Sequence, residues 1–91
     1  MKSQEERFTE LVSNKDNFFK FMRERYPIFF NSNIFLRDIQ YAIRTYFERK
    51  EIHISYTDAE ELMKKFTSKL ETDGELIRMD YNSWKVNFSF N

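Results

Sequence analysis

Between residues 57 and 90 the spacing of apolar residues changes once, from helical to alternating, and the chain's single glycine stands at the change. Ala59, Leu62, Met63, Phe66 and Leu70 recur at helical spacing and predict a helix over 57–72 with one buried face. Thr57 and Glu60 stand at capping-box spacing. Asp58, Glu60 and Glu61 put negative charge in the first turn, where the helix dipole favours it. Gly74 suits the left-handed residue that closes a helix. Residues 75–80 and 84–90 then read as two strands. In the second, Trp84, Val86, Phe88 and Phe90 alternate with Lys85, Asn87 and Ser89, as a strand with one buried face must. Asp80-Tyr81-Asn82-Ser83 is the hairpin turn, with Asn82 expected at positive φ. No other stretch constrains the architecture as tightly.

Upstream, Ser3 and Glu6 repeat the capping-box spacing. Phe8, Leu11, Val12, Phe18, Phe19, Met22 and Tyr26 follow one helical face, while Ser13-Asn14-Lys15-Asp16-Asn17 interrupts with weak helix formers. The helix either runs through this interruption or breaks into two; the stripe keeps its phase, which favours continuity. Phe21 points away from the stripe and is a candidate contact for a partner or a second copy of the chain. Pro27 stops the helix, because proline lacks an amide hydrogen and the residue before it disfavours α geometry. Ile28-Phe29-Phe30 is expected as a short strand, and Asn31-Ser32-Asn33 as a turn rich in N-cap types. The next helix carries Phe35, Leu36, Ile39, Ala42, Ile43, Tyr46 and Phe47 on one arc and runs to about Glu51. Ile52-His53-Ile54-Ser55 is extended and reads as a second short strand.

A chain of 91 residues makes one small domain, which needs a dense apolar core to fold alone. Eleven phenylalanines meet that need. Each buried aromatic removes about 150–250 Å² from water, so the supply suffices for a core and leaves apolar surface for a partner or homodimer. With no cysteine there is no disulfide and no thiolate metal site. The polar amino terminus resembles no signal peptide, and no apolar run approaches a membrane span. A cytoplasmic protein is the expectation. Fifteen acids cancel fifteen bases, but unevenly. Residues 15–26 hold four bases and two acids, whereas residues 52–74 hold three bases and five acids.

In order of elements, helix, short strand, helix, helix and hairpin resemble the winged helix-turn-helix superfamily. The segment Leu70-Glu71-Thr72-Asp73-Gly74-Glu75-Leu76-Ile77 is similar to the junction between recognition helix and wing in such domains. The resemblance implies a compact α+β winged helix of three or four helices with a C-terminal hairpin wing. Residues 15–91 would form this domain, and residues 1–14 a helical amino-terminal extension of the kind that often serves dimerisation. By position, 57–72 resembles the recognition helix and 78–85 the wing. Thr57, Glu61, Lys64, Lys65 and Ser68 then face a major groove, and Arg78, Asn82 and Lys85 reach phosphates, if DNA is the ligand.

The implied function is DNA binding in a small regulator of transcription that acts as a dimer; the alternative is a protein–protein interaction module that binds no nucleic acid. Charge sets the two apart. DNA affinity rests largely on phosphate neutralisation, yet the would-be recognition segment is net acidic. An ordinary solvated face, with Glu60–Lys64 and Glu61–Lys65 pairs, accounts for the same lysines. A second surface joins Arg37, Tyr41 and Arg44 opposite the core of the middle helix, an Arg–aromatic combination suited to a partner. Chemistry is not suggested. His53 is the only histidine, one glycine cannot build a phosphate loop, and no nucleophile–base pair is apparent. No enzyme activity, metal or cofactor is expected.

Overall fold

A computed structural model of the chain describes residues 4–89. The closing segment forms α4 (Tyr56–Thr72), β2 (Leu76–Asp80) and β3 (Ser83–Val86). Ahead of it lie α1 (Gln4–Ser13), α2 (Lys15–Arg23), β1 (Asn33–Phe35) and α3 (Leu36–Glu48). Ser3, of the first capping box, and Phe90 fall outside the described residues; the last strand is shorter than the expected 84–90, because its pairing with β1 and β2 ends at Val86.

Gly74 closes α4 as its position suggests. Its φ is +76°, its N–H donates to the Glu71 carbonyl, and the Glu75 N–H reaches back to the Leu70 carbonyl. The other end differs from expectation by two residues. Ser55, not Thr57, is the N-cap, with its Oγ accepting from the Asp58 N–H at 3.1 Å. The hairpin turn also differs, because Asn82 does not take positive φ. The Asp80 carboxylate accepts from the Asn82 N–H at 3.0 Å and the Ser83 hydroxyl at 2.9 Å, which holds the turn by side chain. Among non-glycine described residues, positive φ falls at Asn31 and Glu51.

The amino-terminal helix breaks at Asn14. Its φ of −116° and ψ of 31° leave the helical region, and its side-chain amide donates to the Glu10 carbonyl and carboxylate. Asparagine competes with the helix for its own backbone in this way. The break frees α1 to lie on α4 while α2 packs on α3. Leu11 of α1 is fully buried. Arg7 meets Asp58 at 3.5 Å, and the Glu10 carboxylate accepts from the Tyr46 hydroxyl and Lys50 ammonium, each at 3.2 Å. The amino-terminal helix is thus part of the core.

The three strands form an antiparallel sheet in the order β1-β3-β2. Neither 28–30 nor 52–55 is a strand; β1 instead takes residues expected to turn and to start a helix. The partner makes the strand. Ser32 and Asn31 exchange backbone hydrogen bonds with Val86, and Ile34 stands opposite Trp84. Phe35 is drawn out of the helical arc by this pairing and is 51% exposed. Ile34, Trp84, Val86 and Leu76 put the buried face of the sheet against the helices. Behind it the Phe18 ring meets Phe19, Tyr46 and Phe66 edge-on at 5.3–5.5 Å. This is an α+β fold of four helices and a three-stranded sheet in a winged-helix layout.

Candidate functional site

The outward face of α4 and the hairpin beside it form the candidate surface. Thr57, Glu61, Lys64, Lys65 and Ser68 are all exposed on that helix, and Arg78 and Asn82 are exposed on the hairpin. Lys85 does not join them. It alternates with Trp84, whose indole faces α4, and stands between Ile77 and Asn33 on the outer side of the sheet. Pleating places neighbours on opposite faces.

Glu71 organises the junction. One oxygen of its carboxylate accepts the Trp84 indole N–H at 2.6 Å and the Arg78 Nε–H at 2.7 Å. The Arg78 guanidinium lies 4.8 Å from the Trp84 ring centroid, and its Nη1 donates to the Asp80 carbonyl at 3.1 Å. Cation, indole and carboxylate lock the wing to the end of α4. Sequence reasoning passed over Glu71. The signal was its place in the last helical turn, where the dipole disfavours a negative charge and a tertiary partner is needed to hold one.

The same surface is charge-paired. Lys64 meets Glu60 at 3.4 Å and Lys69 meets Asp73 at 3.3 Å, in addition to Arg78 with Glu71. The other expected pair, Glu61–Lys65, is not formed among the described residues.

Between α4 and the hairpin lies a cleft of about 240 Å³. Leu36, Met63 and Trp84 supply its apolar lining; Lys64, Arg78 and Tyr81 supply its polar and aromatic side, with Thr67 between them. The Thr67 hydroxyl is turned to the Met63 carbonyl at 2.8 Å. The start of α3 closes one end, where the Leu36 N–H donates to the Asn82 carbonyl.

The Asp80 turn carries a pH prediction. The Asn82 N–H, then the Ser83 hydroxyl, hold the Asp80 carboxyl below its ordinary value. A depressed folded-state pKa contributes stability that is present above the unfolded value, about 3.9, and lost as pH falls through the folded one. The stability difference between wild type and Asp80→Ala should be constant near neutrality and vanish well below pH 4. Thermal melts from pH 7 down to pH 2 check it; a difference unchanged at the acid end would show that the carboxylate does not hold the turn.

On α3, Arg37 is exposed and Tyr41 is 45% exposed. Tyr41 meets Tyr56 edge-on at 6.2 Å, and the Arg44 guanidinium stands 5.8 Å from the Tyr56 ring. Tyr56, the first residue of α4, therefore gathers Tyr41 and Arg44, and sequence reasoning missed it. Periodicity within one helix cannot show a neighbour on the next. Phe21 needs correction as a partner contact. It is 8% exposed, packed edge-on against Tyr46 and covered by the Arg49 guanidinium at 4.7 Å. A homodimer built on Phe21 loses its anchor. The open apolar side chains are elsewhere: Phe29, Phe30 and Phe35 around β1, and Ile77, Met79 and Tyr81 on the hairpin.

Comparison with protein-family models, with curated proteins and with solved structures gives no match.

Proposed function

We propose that this chain is a non-catalytic protein–protein interaction module built on a winged-helix layout and acting in the cytoplasm. One observation supports this most strongly. Of the four cations that α4 and Arg78 would offer to phosphate, three are paired with acids on the same surface, Lys64 with Glu60, Lys69 with Asp73 and Arg78 with Glu71, which leaves Lys65. Duplex binding depends on several uncompensated Lys or Arg contacts. A paired surface of this kind gives little counterion release, whereas exposed Ile77, Met79 and Tyr81 on the hairpin suit a protein.

DNA binding is the second reading, and one observation favours it. Thr57, Glu61, Lys64, Lys65 and Ser68 share an open face on the helix that would enter a major groove, with Arg78 and Asn82 beside it. A titration with random-sequence duplex separates the two. At about 50 mM salt and tens of micromolar protein, non-specific binders are detectable, and this chain is expected to show no binding. Binding that weakens steeply as salt is added would replace the interaction reading with the DNA one.

A further inference from the structure

We propose that the open edge of β2 pairs with the same edge of a second copy of this chain, joining the two sheets across a two-fold axis at Ile77. The inference rests on the interaction-module reading, in which the hairpin meets protein, and names the partner.

The backbone hydrogen bonds of the sheet show which groups β2 leaves open. The Val86 N–H donates to the Ser32 carbonyl and the Val86 carbonyl accepts from the Asn31 N–H, so both groups are directed to the β1 side. Leu76 stands opposite Val86 and receives neither. One residue earlier, the Glu75 carbonyl accepts from the Asn87 N–H at 2.9 Å. Bonding alternates along an antiparallel pair, so Glu75 and Ile77 face β3 while Leu76 and Arg78 turn N–H and C=O toward the edge. Among the described residues, no backbone group outside the sheet takes them up. At β1, the other edge, the same alternation turns out Asn33 and Phe35, but Phe35 caps α3 and its carbonyl enters the helix.

The β2 edge is self-complementary. Leu76 and Arg78 flank Ile77 equally, so an antiparallel copy turned about Ile77 sets Leu76 of each chain against Arg78 of the other. Such pairing gives every open N–H and C=O of the edge a partner. Ile77 then meets Ile77 of the second copy in a non-hydrogen-bonded pair, where side chains approach most closely. Ile77 is 47% exposed and Met79, two residues on, is 54% exposed, so the contact removes apolar surface of both chains from water. Charge does not oppose it. Fifteen acids and fifteen bases leave two copies without net repulsion. Arg78 faces Leu76 in this register, and its charge is already met by Glu71. Assembly stops at two, because the irregularity between Arg78 and Asp80 ends the regular edge and a two-fold axis uses both β2 edges in one contact.

Sedimentation equilibrium of the full chain from about 1 to 500 µM tests the pairing. The expected result is a monomer–dimer equilibrium, rising from 11.3 kDa toward twice that mass. Its dissociation constant should be on the order of 10–100 µM, the weak end that a small interface gives. Ile77→Lys should raise the constant at least about tenfold, since two ammonium groups would meet across the axis. Phe30→Ser, beside β1, should leave it unchanged. Amide hydrogen exchange of the wild type gives a readout that needs no variant and decides if Ile77→Lys melts early. Exchange at Leu76 and Arg78 should slow as concentration rises, and more than at Ile77, whose N–H is bonded to β3 in the monomer.

A monomer throughout the range overturns the proposal. A dimer that Ile77→Lys leaves intact overturns it too, as does one in which exchange at Leu76 and Arg78 is no slower than in the monomer. Loss of the dimer in Phe30→Ser alone places the contact at β1 and overturns the β2 edge. If the chain is monomeric and duplex DNA does not bind, the edge pairing falls and the module reading stands. If duplex DNA binds with steep salt dependence while Ile77→Lys still dissociates the dimer, the module reading falls and the edge pairing stands.

Discussion

Phe66→Asp should abolish cooperative unfolding. Phe66 is fully buried on α4, edge-on to Phe18 and stacked on Phe19 at 5.8 Å, so its ring joins α4 to α2. Removing a buried phenylalanine ring costs about 3–5 kcal/mol. Leaving an unpaired carboxylate in the space adds several more, unless the group takes up a proton. A domain of this length has a total stability of roughly 5–15 kcal/mol, so the sum is comparable to the whole. Circular dichroism should show a broad, non-cooperative melt and amide NMR spectra should lose dispersion. Phe66→Leu, which keeps an apolar side chain of similar bulk, should melt cooperatively at a lower temperature. A folded Phe66→Asp variant would mean that α4 presents a different face to the core.

Glu71→Ala should cost about 1–3 kcal/mol, a large effect for a residue near the surface. Opposing effects set the size of the loss. The buried Trp84 indole N–H loses its acceptor, a penalty of about 1–3 kcal/mol. The half-exposed Arg78 pair adds at most about 1 kcal/mol once solvent screening is allowed for. Against these, a carboxylate leaves the last turn of α4, where the dipole disfavours it by roughly 0.3–1 kcal/mol. Stranding the indole N–H outweighs the relief at the helix end, so the variant is destabilised. Glu71→Gln keeps a carbonyl for the indole and removes the unfavourable charge, and should lie within about 1 kcal/mol of wild type. Adding Trp84→Phe to Glu71→Ala removes the stranded donor, so the double variant should be less destabilised than the two singles added together. Denaturant melts of the four proteins measure this. Strict additivity would show that Glu71 and Trp84 do not depend on one another.

The contrast between these residues marks what the sequence reveals. Phe66 was legible because its role depends on its own helix: five apolar residues at helical spacing imply a buried face whatever covers it. Gly74 was legible for a similar reason, since left-handed closure is a property of one residue and the turn before it. Glu71 was not legible as a junction, because Trp84 and Arg78 reach it only after the hairpin folds back on α4. The outward residues of α4 fell on the expected face, yet their pairing state depended on which acids lay within reach. Lys85 shows the limit within a single strand. Alternation gave its face relative to Trp84, and the sheet then placed that face away from α4.

The sequence by itself determined the amphipathic helices, the glycine stop and the alternating strand of the hairpin, because those features arise from contacts within a few residues. Tertiary structure decided where β1 lies, that Phe21 is covered, and that the wing's cation is held by Glu71. Each depends on a partner distant along the chain: Val86 for the residues before β1, Arg49 for Phe21, and the end of α4 for Arg78. Local periodicity fixes which side of an element is apolar. Only packing brings charges and rings from separate elements close enough to pair, and the surface left unpaired is what a partner can meet.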